Sequence, residues 1–232
     1  MHSLKLFIVH GWAYEVDSWG VFLDELRKRS IEPIMLNVPG LTEPSDKVWD
    51  IDAYVDWLDS QIKGVKNVVV LGHSNGGRIL LNYSIKHPQR LKKLILVNSA
   101  GAVVDEQRVS IKRTVLRIGA KVLRPLRRLP LLRRVLYRFV GASDYYKAPE
   151  NMKQTLVNML DSDAHLDLSQ VMTHTAMIWG SDDTYTPLSH GRLMEREIPD
   201  NSGLYIMKGV RHAPYKTHPL ELAAAVEEAM NR

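Results

Sequence analysis

The sequence NVVVLGHSNGG, residues 67–77, joins a run of aliphatic residues to a turn built from small ones. The run shows no polar alternation, and strands that are apolar on both faces are typical of a parallel sheet covered by helices. The residues that follow, 76–86, have the pattern of a helix. The segment therefore predicts a buried strand, a tight turn that carries Ser74, and a helix.

Similar short apolar runs, bounded by Gly, Pro or Asn, recur on both sides of this segment. With the run at 67–71 they predict six strands, at residues 4–9, 33–37, 67–71, 93–98, 173–179 and 204–207. Helical patterns fill most of the gaps, at residues 18–29, 51–62, 76–86, 188–197 and 219–230. This alternation predicts an α/β fold with a doubly wound, mostly parallel sheet of about six strands.

The turn itself has the pattern G-x-S-x-G, from Gly72 to Gly76. Between a strand and a helix, this pattern is typical of a strained turn that exposes a nucleophilic serine. It also places the N–H of Asn75 at a helix N-terminus, where the dipole favours an oxyanion. The alternative is a glycine-rich turn with no chemical role, and His73 is expected to pack or hydrogen bond there rather than act as a base.

With these residues the chain resembles the α/β-hydrolase family. His10-Gly11-Trp12 follows the first strand as the family's oxyanion loop does, and Pro39-Gly40 follows the second strand. The resemblance implies a core at residues 1–101 and 171–232 and a helical cap inserted at residues 102–170. The family's usual first two strands are lacking, since the chain begins at what would be the third.

The resemblance also implies an acid and a base, in the order serine, acid, histidine. Asp183 fits the family's acid loop, because Pro187 follows it at the family's spacing, and the neighbouring Asp182 is the alternative. His212 comes after the sixth predicted strand in a G-x-x-H pattern, and His218 is a second candidate. The acid would fix the tautomer of the base and stabilise its charged form.

The expected function is that of a serine hydrolase that cleaves a carboxylic ester through an acyl-enzyme intermediate. Ser74 would be the nucleophile, and the backbone N–H groups of Trp12 and Asn75 would form the oxyanion hole. The substrate would be a small-molecule or carrier-linked acyl ester. Two alternatives use the same three residues, a thioesterase and a C–C bond hydrolase, and a third is a non-catalytic binding protein with this fold.

Composition narrows the classes of protein further. The chain has 232 residues, 45% of them hydrophobic, and no cysteine, which excludes disulfides, thiol catalysis and Cys-ligated zinc. No metal or organic cofactor is expected. We see neither a targeting segment nor a transmembrane run, so the expected location is cytoplasmic.

One segment differs from the rest in charge. Residues 105–147 contain twelve Lys and Arg but three Asp and Glu. Arg113, Arg117, Lys121 and Arg124 recur at helical spacing, opposite an apolar stripe. They predict either a solvated helix face or a docking surface for an acidic carrier protein or an anionic surface. Nucleic acid is not an expected partner, because interleaved aromatic residues are missing.

Overall fold

The computed structural model describes residues 4–102 and 148–232. Strands and helices alternate along the chain, in the order β1 Leu4–Val9, α1 Gly20–Lys28, β2 Ile31–Met35, α2 Ile51–Gln61, β3 Val68–His73, α3 Asn75–Lys86, β4 Leu91–Val97, α4 Glu150–Ser162, β5 Thr175–Gly180, α5 Leu188–Glu197, β6 Asn201–Met207, α6 Pro214–Thr217 and α7 Pro219–Asn231. Short 3-10 turns precede α1 at Asp17–Trp19 and β5 at Leu168–Gln170.

The strands form one sheet in the order β2-β1-β3-β4-β5-β6, and every neighbouring pair is parallel. The expected doubly wound parallel sheet is therefore confirmed for the described residues. In such a sheet the carboxyl ends of the strands meet at one edge, where ligands bind.

Side chains of successive strand residues point to opposite faces, so the sheet divides the core in two. Val70, Leu94 and Leu96 belong to one apolar cluster, which also holds residues of α2, α3 and α4. Leu71, Ile95 and Val97 belong to the other, which holds residues of α1 and α7. Both faces are covered, which explains why the central strands are apolar without alternation.

Strand boundaries differ from the sequence prediction by up to three residues, and β2 and β6 illustrate why. β2 was predicted at residues 33–37 but lies at Ile31–Met35, because Ser30, with φ of 60°, turns the chain straight from α1 into the strand. β6 begins at Asn201, three residues before the predicted start, because backbone pairing with Thr175 extends it over polar residues.

The two outer strands carry irregularities. Pro33 lies in the middle of β2, opposite Leu6 of β1. β6 pairs with β5 through a register shift between Thr175 and Met177, and Gly203 within it has φ of +88°.

The predicted cap, residues 102–170, falls mostly on residues 103–147, outside the described part of the chain. Its last part is described and is largely helical, since α4 and a 3-10 turn occupy it. The helix α4 packs on the loop between β2 and α2. Three side chains of α4 make hydrogen bonds to backbone groups of that loop: Asn151 to Ser45 and Lys47, Thr155 to Trp49, and Asn158 to Trp49.

Candidate active site

Ser74 lies in the turn between β3 and α3, and we call residues 73–75 the elbow. Its backbone has φ of 52° and ψ of −119°, a region that is costly for a residue with a side chain. The turn is tight because glycines let neighbouring backbone approach. A Cβ atom on Gly76 would lie 2.0 Å from the carbonyl oxygen of Val9, and one on Gly72 would lie 2.6 Å from the Cα of Gly77. Larger residues cannot replace these glycines without moving β1 or α3.

His212 lies beside Ser74, in the loop between β6 and α6. Its Nε2 is 3.0 Å from the Ser74 Oγ, within hydrogen-bonding distance. On the other side of the ring, Nδ1–H donates to Asp183 Oδ2 at 2.8 Å. This bond assigns the proton to Nδ1 and leaves Nε2 free to accept the serine proton. The other candidate, His218, is exposed and contacts Thr217 Oγ1 at 2.9 Å.

Asp183 is buried in the loop after β5 and is surrounded by donors. Its Oδ2 accepts hydrogen bonds from His212, from Asn98 Nδ2 at 2.6 Å and from Thr186 Oγ1 at 2.7 Å. Its Oδ1 accepts from the backbone N–H groups of Tyr185 and Thr186, at 2.8 and 3.1 Å. Burial by itself would raise the pKa of Asp183, but His212 and these donors outweigh burial and lower it. The carboxyl group is therefore held as a carboxylate.

Asp182, the alternative acid, is in a different environment. It is exposed, and its Oδ1 accepts a hydrogen bond from Ser181 Oγ at 2.7 Å. Of the two neighbouring carboxyl groups, Asp183 is thus the one that contacts His212.

Of the two residues predicted to form the oxyanion hole, one belongs to the elbow and the other lies in a neighbouring loop. Asn75 is the first residue of α3, and Trp12 lies in the loop after β1. That loop packs closely on the elbow, since a Cβ atom on Gly11 would lie 3.0 Å from the Ser74 Cβ. His10 braces the loop: its Nδ1–H donates to the Gly11 carbonyl at 2.8 Å, and its Nε2 lies 2.9 Å from Thr42 Oγ1.

His73 lies directly behind the site. Its Nε2–H donates to the backbone carbonyl of His212 at 2.7 Å, so it connects the elbow to the loop that carries His212. The ring is enclosed edge-on by Trp19 and Tyr215, which stack on each other with centroids 3.8 Å apart. Burial, and then the charge of His212, lower the pKa of His73 to about 3. His73 is therefore neutral, and the expectation that it packs and hydrogen bonds near the elbow agrees with its place in the structure.

Sequence reasoning missed Asn98 and Thr186. Asn98 follows β4 with φ of 45°, and its side chain joins three segments of the site. It donates to Asp183 Oδ2 and to the Arg211 carbonyl, and its Oδ1 accepts from Gly180 N–H at 3.0 Å. Asparagine tolerates a positive φ, so an Asn at the carboxyl end of a central strand was the available signal.

Other sequence predictions concern the basic segment, metal binding and membrane-spanning helices. Arg113, Arg117, Lys121 and Arg124 fall outside the described residues. Among residues 4–102 and 148–232, no group of three His, Asp or Glu side chains could hold a metal ion. No helix in the same part of the chain is long and apolar enough to cross a membrane.

Comparison with known proteins places the chain in a family. A sequence model of the alpha/beta hydrolase fold matches residues 6–219. The pimeloyl-[acyl-carrier protein] methyl ester esterase of Chromobacterium violaceum is 24% identical, over 95% of this chain and 92% of its own. The 2-hydroxymuconate semialdehyde hydrolase of Pseudomonas sp. strain CF600 is 32% identical over 43% of this chain and 38% of its own.

Solved structures agree on the fold. MGS-MChE2, an alpha/beta hydrolase enzyme from the metagenome of lagoon sediments at Mar Chica, Morocco, superposes with a TM-score of 0.70. It is 20% identical, and the match covers 99% of this chain and 91% of that one. Since the family model spans most of the chain, the protein belongs to the alpha/beta hydrolase family.

Proposed function

We propose that the protein is a serine hydrolase that cleaves a carboxylic ester through an acyl-enzyme intermediate. The observation that carries the proposal is the continuous set of contacts from Ser74 Oγ through both nitrogens of His212 to the buried carboxylate of Asp183. A serine hydroxyl is a weak nucleophile until a base removes its proton, and this arrangement supplies the base and orients it.

In the proposed reaction, His212 Nε2 accepts the Ser74 proton as Oγ attacks the ester carbonyl. The backbone N–H groups of Trp12 and Asn75 stabilise the oxyanion of the tetrahedral intermediate. His212 then protonates the leaving alcohol, and the acyl group remains on Ser74. Water, deprotonated by the same nitrogen, attacks the acyl-enzyme, and His212 returns the proton to Ser74 as the carboxylic acid leaves. Asp183 stabilises the imidazolium that forms in both steps.

For the substrate we favour an acyl ester linked to a carrier. The Chromobacterium violaceum relative is named for a methyl ester on an acyl-carrier protein, and it matches nearly the whole chain. Our proposal takes the carrier to be an acidic protein. The basic segment at residues 105–147 would then attract it electrostatically. A C–C bond substrate is the second candidate, supported by the similarity to the 2-hydroxymuconate semialdehyde hydrolase.

The test combines active-site labelling with a substrate panel. A fluorophosphonate probe should label the wild type and the Ser60→Ala control, an exposed serine on α2, but not Ser74→Ala. Turnover should fall by about 10⁴-fold or more in Ser74→Ala with the fold retained, because the hydroxyl provides chemistry and little packing. Equal labelling of wild type and Ser74→Ala would contradict the proposal.

The panel would hold aryl esters of increasing acyl length, an acyl thioester, a vinylogous diketone and a methyl ester on an acyl-carrier protein. We expect the highest kcat/KM on the carrier-linked ester, with added salt lowering it. Preference for the thioester or the diketone would replace the ester assignment. If the protein is not labelled and turns over none of these substrates, a non-catalytic binding protein is favoured.

A further inference from the structure

An ion pair between a buried guanidinium and a partly exposed carboxylate lies next to the elbow and takes no part in the proposed proton transfers. Arg78, one turn into α3, has a side chain that is 6% exposed. Its Nε and one terminal nitrogen donate to both oxygens of Asp163, at 2.6 and 2.7 Å. Asp163 directly follows α4, at the C-terminal end of that helix. The pair therefore connects the helix behind the elbow to a segment that arrives from elsewhere in the chain.

The same guanidinium group holds Asn75. The other terminal nitrogen of Arg78 donates to Asn75 Oδ1 at 2.6 Å, and Asn75 is itself buried. A guanidinium has donors and no acceptor, so the atom of Asn75 that faces it must be the oxygen. The side chain of Asn75 is thus fixed in one orientation, directly beside the backbone N–H that we assign to the oxyanion hole.

The partner of Arg78 is itself firmly placed. Asn151, Thr155 and Asn158 fasten α4 to the loop before α2 by side-chain hydrogen bonds. Arg78 is thus tied through Asp163 to a helix that is held to this loop by hydrogen bonds. Burying a charged pair is costly in free energy unless every partner is in place. Replacing the whole pair with apolar residues is often tolerated. Such a pair need not be required for folding, which leaves room for a role in the site.

We propose that Arg78 and Asp163 are positioning residues for the oxyanion hole: through Asn75 Oδ1 they fix the first turn of α3, so that the Asn75 N–H meets the oxyanion. The inference rests on the proposed function, because that function assigns the Asn75 N–H to the oxyanion hole. It adds that the position of α4, transmitted through Asp163 and Arg78, determines the geometry of the oxyanion hole.

The decisive variant is Arg78→Met/Asp163→Leu, which removes both charges of the pair together and leaves neither unpaired. Lys86→Met is the matched control, because it breaks an exposed ion pair of the same helix, with Asp52, far from Asn75. Two ketone inhibitors that differ only in a CF₃ or CH₃ group separate the roles. A trifluoromethyl ketone adds Ser74 Oγ and forms an oxyanion, whereas the methyl ketone binds as a ground-state analogue.

We expect the double variant to lower kcat by about 10- to 100-fold with little change in KM, since loss of one oxyanion donor costs about 10²- to 10³-fold. Its affinity for the trifluoromethyl ketone should fall by a similar factor, and its affinity for the methyl ketone should not. Lys86→Met should match the wild type in both. A double variant with unchanged kcat and trifluoromethyl ketone affinity, or equal loss for both inhibitors, would overturn the proposal.

A second variant keeps the test open if the double variant does not fold. Asn75→Ala removes the acceptor of the tether and leaves the ion pair intact, and it should show the same selective loss. Wild-type behaviour of Asn75→Ala would overturn the inference as well. Ser74→Ala distinguishes the two failures: if it still turns over substrate, the proposed function falls, whereas full loss there with normal Asn75→Ala removes only the role of Arg78 and Asp163.

Discussion

Asp183 is held by donors on both oxygens, and this is the property that separates it from its neighbour Asp182. An amide NH₂ in place of Oδ2 would face the NH₂ group of Asn98, and in place of Oδ1 it would face two backbone N–H groups; none of these donors can accept a hydrogen bond. The site therefore distinguishes a carboxylate from an amide of nearly identical shape.

We expect Asp183→Asn to lower kcat by about 10⁴-fold, the loss found in a well-studied triad when the acid no longer fixes the histidine tautomer. Asp182→Asn, one residue away and exposed, is the control and should keep its activity. Steady-state kinetics on an aryl ester would measure both. An Asp182→Asn variant that loses activity while Asp183→Asn retains it would reverse the assignment.

At this scale the sequence predicted three side chains that the structure brings into contact, and not the residues around them. Ser74, Asp183 and His212 each follow a predicted strand, and parallel strands end at one edge, so their meeting could be expected. Asn98 and Thr186 were missed because both act through ordinary amide and hydroxyl groups, which no spacing rule distinguishes from turn residues. The contact of Arg78 with Asp163 joins positions far apart in sequence, and only the fold brings them together.

The helix α4 packs closely against the chain at Gly40. A Cβ atom there would lie 2.2 Å from Met152 Sδ, and Met152 is buried. The φ of Gly40 is +77°, the same as that of Gly64, where a Cβ atom would meet nothing within 4 Å. The two glycines therefore share a backbone conformation and differ in packing.

We expect Gly64→Ala to lower the free energy of unfolding by about 1 kcal/mol, the cost of a side chain at positive φ. Gly40→Ala should cost about 1–3 kcal/mol more, because the added methyl group overpacks against α4. Urea denaturation of both variants measures the difference. The additional loss in Gly40→Ala should become smaller when Met152→Ala makes room for the methyl group. Equal losses in Gly64→Ala and Gly40→Ala would contradict the prediction, because they would mean that α4 accommodates the methyl group at no cost in free energy.

Element types were easier to predict than element ends. The central strands were foreseen because four or five apolar residues in a row are hard to place elsewhere. The start of β2 was missed because Glu32 and Pro33 interrupt its apolar pattern, and the start of β6 because Asn201 and Ser202 pair through their backbone alone. Such edge segments are specified by hydrogen bonding to a neighbour, which is invisible in local periodicity.

Across the whole molecule, several buried ionisable groups make stability depend on pH in the same direction. Burial lowers the pKa of His73 to about 3 and also lowers the pKa of His10. The unfolded chain therefore binds these protons more readily, and stability falls as the pH drops below about 6.5. Asp183 contributes stability above about pH 3.8, which is lost as the pH falls through its lowered pKa.

From His73 alone we expect the free energy of unfolding to be about 2 kcal/mol lower at pH 5 than above pH 7. Urea unfolding at pH 7.5, 6 and 5 would measure the slope. His73→Gln keeps an N–H donor for the His212 carbonyl and cannot titrate, so its slope should be shallower. His218→Gln, at an exposed position, should keep the wild-type slope, and a His73→Gln slope as steep as the wild type would exclude His73 as the source.

The irregular outer strands have a consequence for how separate molecules behave toward one another. Leu36 N–H bonds the Ile8 carbonyl, and amide directions alternate along a strand, so the nitrogen of Pro33 faces away from β1 and offers no donor there. At the opposite end of the described sheet, the register shift and Gly203 distort β6. Flat, regular edges are templates on which strands of other chains add and aggregation begins. Among the described residues, both edges of the sheet are therefore poor templates for adding strands of other chains.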